Sequence, residues 1–418
     1  MDTTTTIRED GRDIPVAGRY GVCIAGGGPA GFAAAVSAAR GGAKVCLLEN
    51  AGCLGGIWTS GQLAWFIDYQ NKDGLMREII QRMESAGARG ANPDGTPNAA
   101  FDVEALKDLL DQMALEAGVD VHLYSRVTAA ITDRRRLEFA IAESKSGRQA
   151  FGADYFVDCT GDGDLGALAG NGFDYGSPYD GSTQPMSMTA MVTGIDIHDV
   201  TDFLRPTNST LPWGPPKERL RAVMEQGGCS PSYHFPTLMP VHDNLFLLQT
   251  NHEYGYKAFS ERDLTKATMH GRHELNQIVA ALRRAGGVWK NIRLVATPAF
   301  IGVREGRRLH GRYTLTRQDL IDGVTFEDAV CRVTAGFDVH STNPLANKGI
   351  AAQKEYAKPF DIPLRSLMAA DIDNLFMAGR CISGDFYAHS SYRMSGNAVA
   401  MGGALGNYIS KILGENNL

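Results

Sequence analysis

The sequence predicts an α/β protein: a domain built on a largely parallel sheet, interrupted by a smaller α+β domain. Three observations carry this expectation. Residues 20–49 read as strand, glycine-rich turn, small-residue helix, strand and acid. Residues 126–160 hold short strands joined by polar turns, where a regular βα alternation would place another helix. Residues 176–365 change texture and gather most of the prolines, with many aromatics, before a small-residue pattern returns near residue 395.

The first unit, YGVCIAGGGPAGFAAAVSAARGGAKVCLLE, has the order of a Rossmann-like dinucleotide-binding βαβ. Gly26 allows the tight turn off the first strand. Gly28 lets a pyrophosphate approach the backbone. Gly31 lets the helix lie close to the sheet. Pro29 and Ala30 open the helix, whose free N–H groups and partial positive charge favour phosphate. Glu49 follows Gly28 by 21 positions and ends the second strand, where a carboxylate accepts from ribose hydroxyls; Asn50 follows it. A glycine-rich linker between strand and helix would not explain that acid.

Size and composition bound the remainder. A chain of 418 residues exceeds one ordinary core. The net charge of −6 and the lack of a basic run beyond residues 134–136 argue against nucleic acid as a partner. No stretch of about 18 consecutive apolar residues predicts a transmembrane helix. Residues 1–19 are polar and read as a flexible arm rather than a signal peptide. Seven scattered cysteines without a CxxC pair suit a reduced, cytoplasmic setting, and no metal-ligating set is read.

Along the chain, residues 51–66 form a glycine-broken loop. Apolar residues at helical spacing mark helices at 74–87 and 101–118. Residues 119–125 alternate as a strand, 126–152 form a meander, and 154–160 a return strand. The segment GDGDLG, 161–166, matches GxGxxG again, but no second strand with a terminal acid follows. It reads as a tight turn against the same ligand. A long helix is expected near 260–286, and the chain ends in a helix rich in Ala and Gly. The expected division is therefore 20–175 with 366–418 as one domain and 176–365 as the inserted substrate domain.

The motifs GGGPAG (26–31), LLE (47–49), LGGIWTSG (54–61), DCTGDGDLGALAG (158–170), GVREGRRLHGRYTLT (302–316), DVH (338–340), IPLRSL (362–367), NLFMAGRCIS (374–383) and SYRMSG (391–396) together resemble a known family. The chain is similar to FAD-dependent oxidoreductases related to the fumarate reductase and succinate dehydrogenase flavoproteins, with a glutathione-reductase-type FAD fold. The resemblance implies FAD as cofactor. It implies Gly26, Gly28, Pro29, Ala30 and Gly31 at the pyrophosphate, Glu49 and Asn50 at the adenosine ribose, and Val127 at the adenine. Gly55, Gly56 and Ser60 come from the loop beside the cofactor, and Thr160, Gly161 and Asp162 from the return strand. Gly379 and Arg380 are placed at the ribityl chain. Asn397, Ala398 and Val399 present a helix N-terminus to flavin N1 and O2, where reduced flavin carries negative charge. Two departures stand out: GDFYAHS at 384–390 replaces small or apolar residues, and Ser395 replaces a proline.

The function implied is an oxidoreductase that takes a hydride from a small polar organic substrate onto flavin N5. Alternatives are reduction of an activated double bond, monooxygenation, or service as a flavin-binding subunit of a larger complex. The electron acceptor stays open, and a homo-oligomer is compatible with the sequence. His389 is the first candidate for the proton-handling group and His340 the second, with His252 near the same cavity. Arg304, Arg365 and Arg393 suit a carboxylate; Arg304 and Arg365 equally suit ion pairs with Glu305 or Asp361. Arg307 and Arg308 read as surface or interdomain residues. Tyr387 and Tyr392 are read either as substrate contacts or as core aromatics. Cys53 lacks a redox partner at a suitable spacing.

Overall fold

The computed structural model describes residues 11, 13–204 and 213–416. Of the expected N-terminal arm, residues 1–10 and 12 lie outside the described residues. Residues 16–19 are not arm. They open strand β1 (Val16–Ala25), whose first half pairs with residues 150–152.

β1 leads into helix α1 (Pro29–Arg40) and strand β2 (Val45–Leu48). β2 pairs parallel with β1 and with Asp120–His122. On its other edge β1 pairs parallel with the 12-residue return strand Gly147–Asp158. That long strand serves two neighbours along its far edge. Its first half is antiparallel to Arg136–Ser144, which continues the meander to Arg126–Asp133. Its end, 156–158, pairs parallel with Leu375–Met377. The chain thus re-enters the sheet after its long excursion. The mixed seven-stranded sheet with a meander in place of a crossover helix is the expected α/β architecture.

The small residues of the terminal helix Ser395–Asn416 have a definite use. A Cβ at Gly402 would overlap the Ala30 carbonyl oxygen, and one at Gly406 the Ala34 carbonyl oxygen. The terminal helix therefore lies against α1 at backbone contact, and both helix N-termini are held at one end of the sheet.

The excursion builds a four-stranded antiparallel sheet in the order Thr237–His242, Leu245–Gln249, Thr189–Thr193, Arg293–Ala296. Strand alternation gives it two apolar faces. Ala190, Val192, Leu238, Phe246 and Leu248 share a core with Leu220 and Met224 of helix Gly214–Gln226 and Leu275, Ile278 and Leu282 of helix Glu261–Ala285. Met191, Met239, Val241 and Leu247 face the other way into the main core. Leu309, Leu315, Leu320, Val333 and Ile362 also pack in the main core. Among the described residues, no helix is long and apolar enough to cross a membrane.

Candidate active site

The β1–α1 turn forms a cradle whose glycines do different work. Gly26 sits at φ +97°, and a Cβ there would overlap the Cys159 carbonyl. A Cβ on Gly31 would overlap the Gly26 carbonyl oxygen. Gly28 is different: a Cβ would meet nothing nearer than the Gly56 Cα at 3.9 Å. The protein leaves room above Gly28, and α1 has no side-chain cap there. Its first-turn N–H groups therefore face that room without intrahelical partners. Gly55 closes the cradle, donating its N–H to the Gly27 carbonyl at 2.8 Å, and Gly56 packs on Gly28.

Glu49 is buried at the end of β2. Its carboxylate accepts from the Gly27 N–H at 2.5 Å and the Ala51 N–H at 2.6 Å. Burial raises its pKa, and these backbone donors oppose the rise. Each oxygen keeps a second lone pair for a ribose hydroxyl. Asn50 is exposed beside it, and Val127 is half-buried on the adjoining meander strand. Asp158 braces the second glycine turn. It accepts from the Thr160 N–H and hydroxyl and from the Gly166 N–H at 2.8 Å. Gly161 follows at φ +79°. Asp162 pairs with Arg380 at 2.5 Å, and Gly379, at φ +91°, abuts Ala30. The terminal helix opens beside this group. Ala398 and Val399 are buried, and the fully buried Asn397 has an Nδ2 without a protein partner among the described residues.

A second cluster lies where the inserted sheet meets this frame. The Phe300 N–H binds the Ser60 carbonyl at 3.2 Å, the Thr189 hydroxyl reaches the Gly61 carbonyl at 3.3 Å, and Arg380 donates to the Val303 carbonyl at 2.5 Å. Residues 300–304 thereby bridge the cofactor loop and the inserted sheet. Here Arg393 donates to Asp338 at 2.9 Å, and His340 Nε2 lies 3.4 Å from the same carboxylate. His340 Nδ1 is 3.0 Å from His252 Nε2, and His252 Nδ1 is 3.0 Å from the Tyr254 hydroxyl. An ionised carboxylate only accepts, so the tautomers are assigned from that end. His340 Nε2–H points to Asp338, His252 Nε2–H to His340, and the Tyr254 O–H to His252. Tyr233 stacks at 4.2 Å on His252. Arg304 completes the group, donating through Nη1 to the Pro185 carbonyl and the Ser187 hydroxyl, each at 2.7 Å.

The electrostatics keep the imidazoles neutral. Burial, then the Arg304 charge, pushes His340 down to about 4. Burial and Arg304 hold His252 well below the usual imidazole range. Burial would raise the Asp338 carboxyl, but His340, Arg393 and Arg304 outweigh it and hold it below the ordinary carboxylate range. Burial lifts Tyr254 and Tyr233 to about 12.

Of the candidate catalytic residues, His340, Arg304 and Arg393 converge, and His252 joins them. The side chains of His389 and Tyr387 share no hydrogen bond with this cluster among the described residues. His389 is fully buried and meets Tyr392 edge-on at 5.5 Å, with no hydrogen-bond partner for either ring nitrogen among the described residues; burial holds its pKa well down. Tyr387 is half-buried under the Arg317 guanidinium at 5.3 Å. Tyr392 is core, its hydroxyl on the Ile382 carbonyl at 2.9 Å. The expected ion pairs are redistributed. Glu305 pairs with Arg308 at 2.5 Å, not Arg304, and Arg308 is buried rather than at the surface. Asp361 pairs with Arg332, while Arg365 binds Asp328. Tyr233 and Tyr254 were not singled out by sequence, and Asp338 stood in the DVH motif without an assigned role. One signal for Tyr254 was present: Asn251 and Glu253 alternate with His252 and Tyr254. The former pair faces Glu274 and His270, where the Asn251 amide donates to both carboxylates. These three acid and imidazole groups lie close enough to hold a cation, but that amide donor already sits between the carboxylates.

Fold, cradle and meander together define a flavin-dinucleotide-binding oxidoreductase. The chain belongs to the FAD-dependent oxidoreductase family, whose model matches residues 21–416, and its cofactor is FAD. The room over Gly28, the uncapped α1 and the unpartnered Asn397 amide fit that group. Among solved structures, the chain is similar to a geranylgeranyl bacteriochlorophyll reductase-like protein of Thermoplasma acidophilum. Identity is 13%, coverage is 96% of this chain and 80% of that one, and the TM-score is 0.51. It is similar to the flavin-dependent brominase Bmp2 at 13% identity, 95% and 80% coverage and the same TM-score, 0.51. At such identity the likeness is one of fold, and neither structure is of the fumarate reductase type. A comparison with curated proteins finds no match.

Proposed function

We propose that the protein is an FAD-dependent dehydrogenase or oxidase of a small polar organic substrate, with His340 as its proton store. The reading rests on the hydrogen-bonded chain from Tyr254 through His252 and His340 to Asp338. FAD, when bound, supplies the two-electron acceptor. Gly26, Gly28, Gly31 and the α1 N-terminus would hold its pyrophosphate, Glu49 the ribose, Val127 the adenine, Gly379 and Arg380 the ribityl chain, and Asn397, Ala398 and Val399 the pyrimidine edge.

The protein's part is then proton handling and orientation. A proton released by substrate enters at the Tyr254 oxygen, the half-buried end of the chain. Tyr254 passes its own proton to His252 Nδ1, and His252 passes its Nε2 proton to His340 Nδ1. The charge comes to rest as a His340 imidazolium against Asp338. Asp338 is held too acidic to take the proton itself. Run backwards, the same chain delivers a proton, which is what the alternative reading, reduction of an activated double bond in the manner of fumarate reductase flavoproteins, requires.

Anaerobic mixing with hydroxy acids, amines and sugars tests the direction. Bleaching of the flavin band by one class supports the oxidative reading. Reoxidation of dithionite-reduced enzyme by enoates alone supports the reductive one. Substrate-dependent oxygen uptake with NAD(P)H would point instead to monooxygenation. His340→Gln should slow flavin reduction by about 10²–10⁴-fold, and an unchanged rate would remove His340 from the reaction.

A further inference from the structure

Five arginines lie at the junction and its cofactor side, and four have a carboxylate partner among the described residues. Arg307 pairs with Asp164, Arg308 with Glu305, Arg380 with Asp162 and Arg393 with Asp338. Arg304 is the exception. It is 8% exposed, and its two hydrogen bonds go to neutral oxygens, the Pro185 carbonyl and the Ser187 hydroxyl. Both leave from Nη1. The other edge of the guanidinium, Nε and Nη2, makes no hydrogen bond to the described residues.

That edge is the planar two-donor fork that matches a carboxylate bidentately. The surroundings add up to one uncompensated positive charge. Asp338 balances Arg393, and His252 and His340 are neutral. A buried cation without a counter-ion is costly, and the cost falls when an anionic ligand supplies the missing charge. Burial and Arg393 already depress Arg304 to about 10.

We propose that the substrate carries a carboxylate, and that the Nε–Nη2 edge of Arg304 is its docking point. The inference deepens the proposed oxidoreductase reading and uses the same junction. It also gives the proton store a condition. Arg304 is the leading charge that disfavours an imidazolium at His340. A carboxylate seated on Arg304 cancels that charge, so His340 takes a proton more readily once such a substrate is bound. By linkage, a protonated His340 in turn favours the bound anion.

The holoenzyme can be titrated with acetate, glycolate and malonate, and separately with acetamide, glycolamide and malonamide, following the flavin absorption band. The carboxylates should perturb the band saturably, and the matched amides should not. Arg304→Gln should weaken carboxylate binding by at least about tenfold, with partial recovery in Arg304→Lys. Equal response to acids and amides, or no response to any acid, overturns the proposal without need of a variant. So does Arg304→Gln enzyme that keeps its FAD and binds the carboxylates as tightly as the wild type. His340→Gln separates this reading from the proton reading: it should bind carboxylates while reducing its flavin slowly.

Discussion

Gly28 and Gly31 are three residues apart and give opposite predictions. Alanine at Gly31 drives a methyl into the Gly26 carbonyl, so the fold itself must yield. Gly31→Ala should cost roughly 1–3 kcal/mol of unfolding free energy, as other overpacked sites do. Alanine at Gly28 meets open room in the protein and has an extended backbone. Gly28→Ala should leave apoprotein stability nearly unchanged and weaken FAD binding by at least about tenfold, read by flavin fluorescence titration. Equal stability losses in the two variants would remove the assignment of that room to the pyrophosphate. These glycines and Glu49 were legible in the sequence because their constraints are local. Tyr233, Tyr254 and the role of Asp338 were not, because the cluster draws on separate segments near 233, 252, 304, 338 and 393, which only long-range packing brings together.

The pairing of α1 with the terminal helix links two ligand-facing ends through one contact. The abundance of Ala and Gly in this helix was visible in the sequence; its partner, α1, follows from the re-entry of residues 375–377 beside the return strand. Gly402→Ala should therefore cost roughly 1–3 kcal/mol by denaturant unfolding and also lower FAD retention, since it moves the helix carrying Asn397 relative to Ala30. Gly414→Ala is the control. A Cβ there meets nothing, and the substitution in an exposed helix should be neutral or mildly stabilising. If both variants behave alike, the backbone contact is not what holds these helices. At this scale the meander was readable from its polar turns. The start of β1 was not, because residues 16–19 lack strand alternation and are extended only through pairing with the return strand.

Across the whole molecule, buried histidines and buried acids oppose each other as pH falls. His340 titrates near 4 in the fold against an ordinary imidazole value of about 6.5. Its folded pKa is depressed, so its contribution to stability is complete above about 6.5 and is lost as pH falls toward 4. The shift corresponds to a cost on the order of 3 kcal/mol for carrying the imidazolium in the fold rather than in water. His252 and His389 act in the same direction. Asp158 acts in the other: burial raises it to about 6, so its contribution is complete below about 4 and fades as pH rises through 6. The wild-type slope between pH 6.5 and 4 is thus a difference of opposed effects, and its sign alone identifies no group. Comparison with His340→Gln isolates one of them. Between pH 7 and 4.5 the wild-type protein should lose on the order of 2–3 kcal/mol more unfolding free energy than His340→Gln, measured by urea unfolding at each pH. Parallel losses would mean that His340 titrates in the fold as it does in water, and that the chain from Tyr254 to Asp338 is not held neutral.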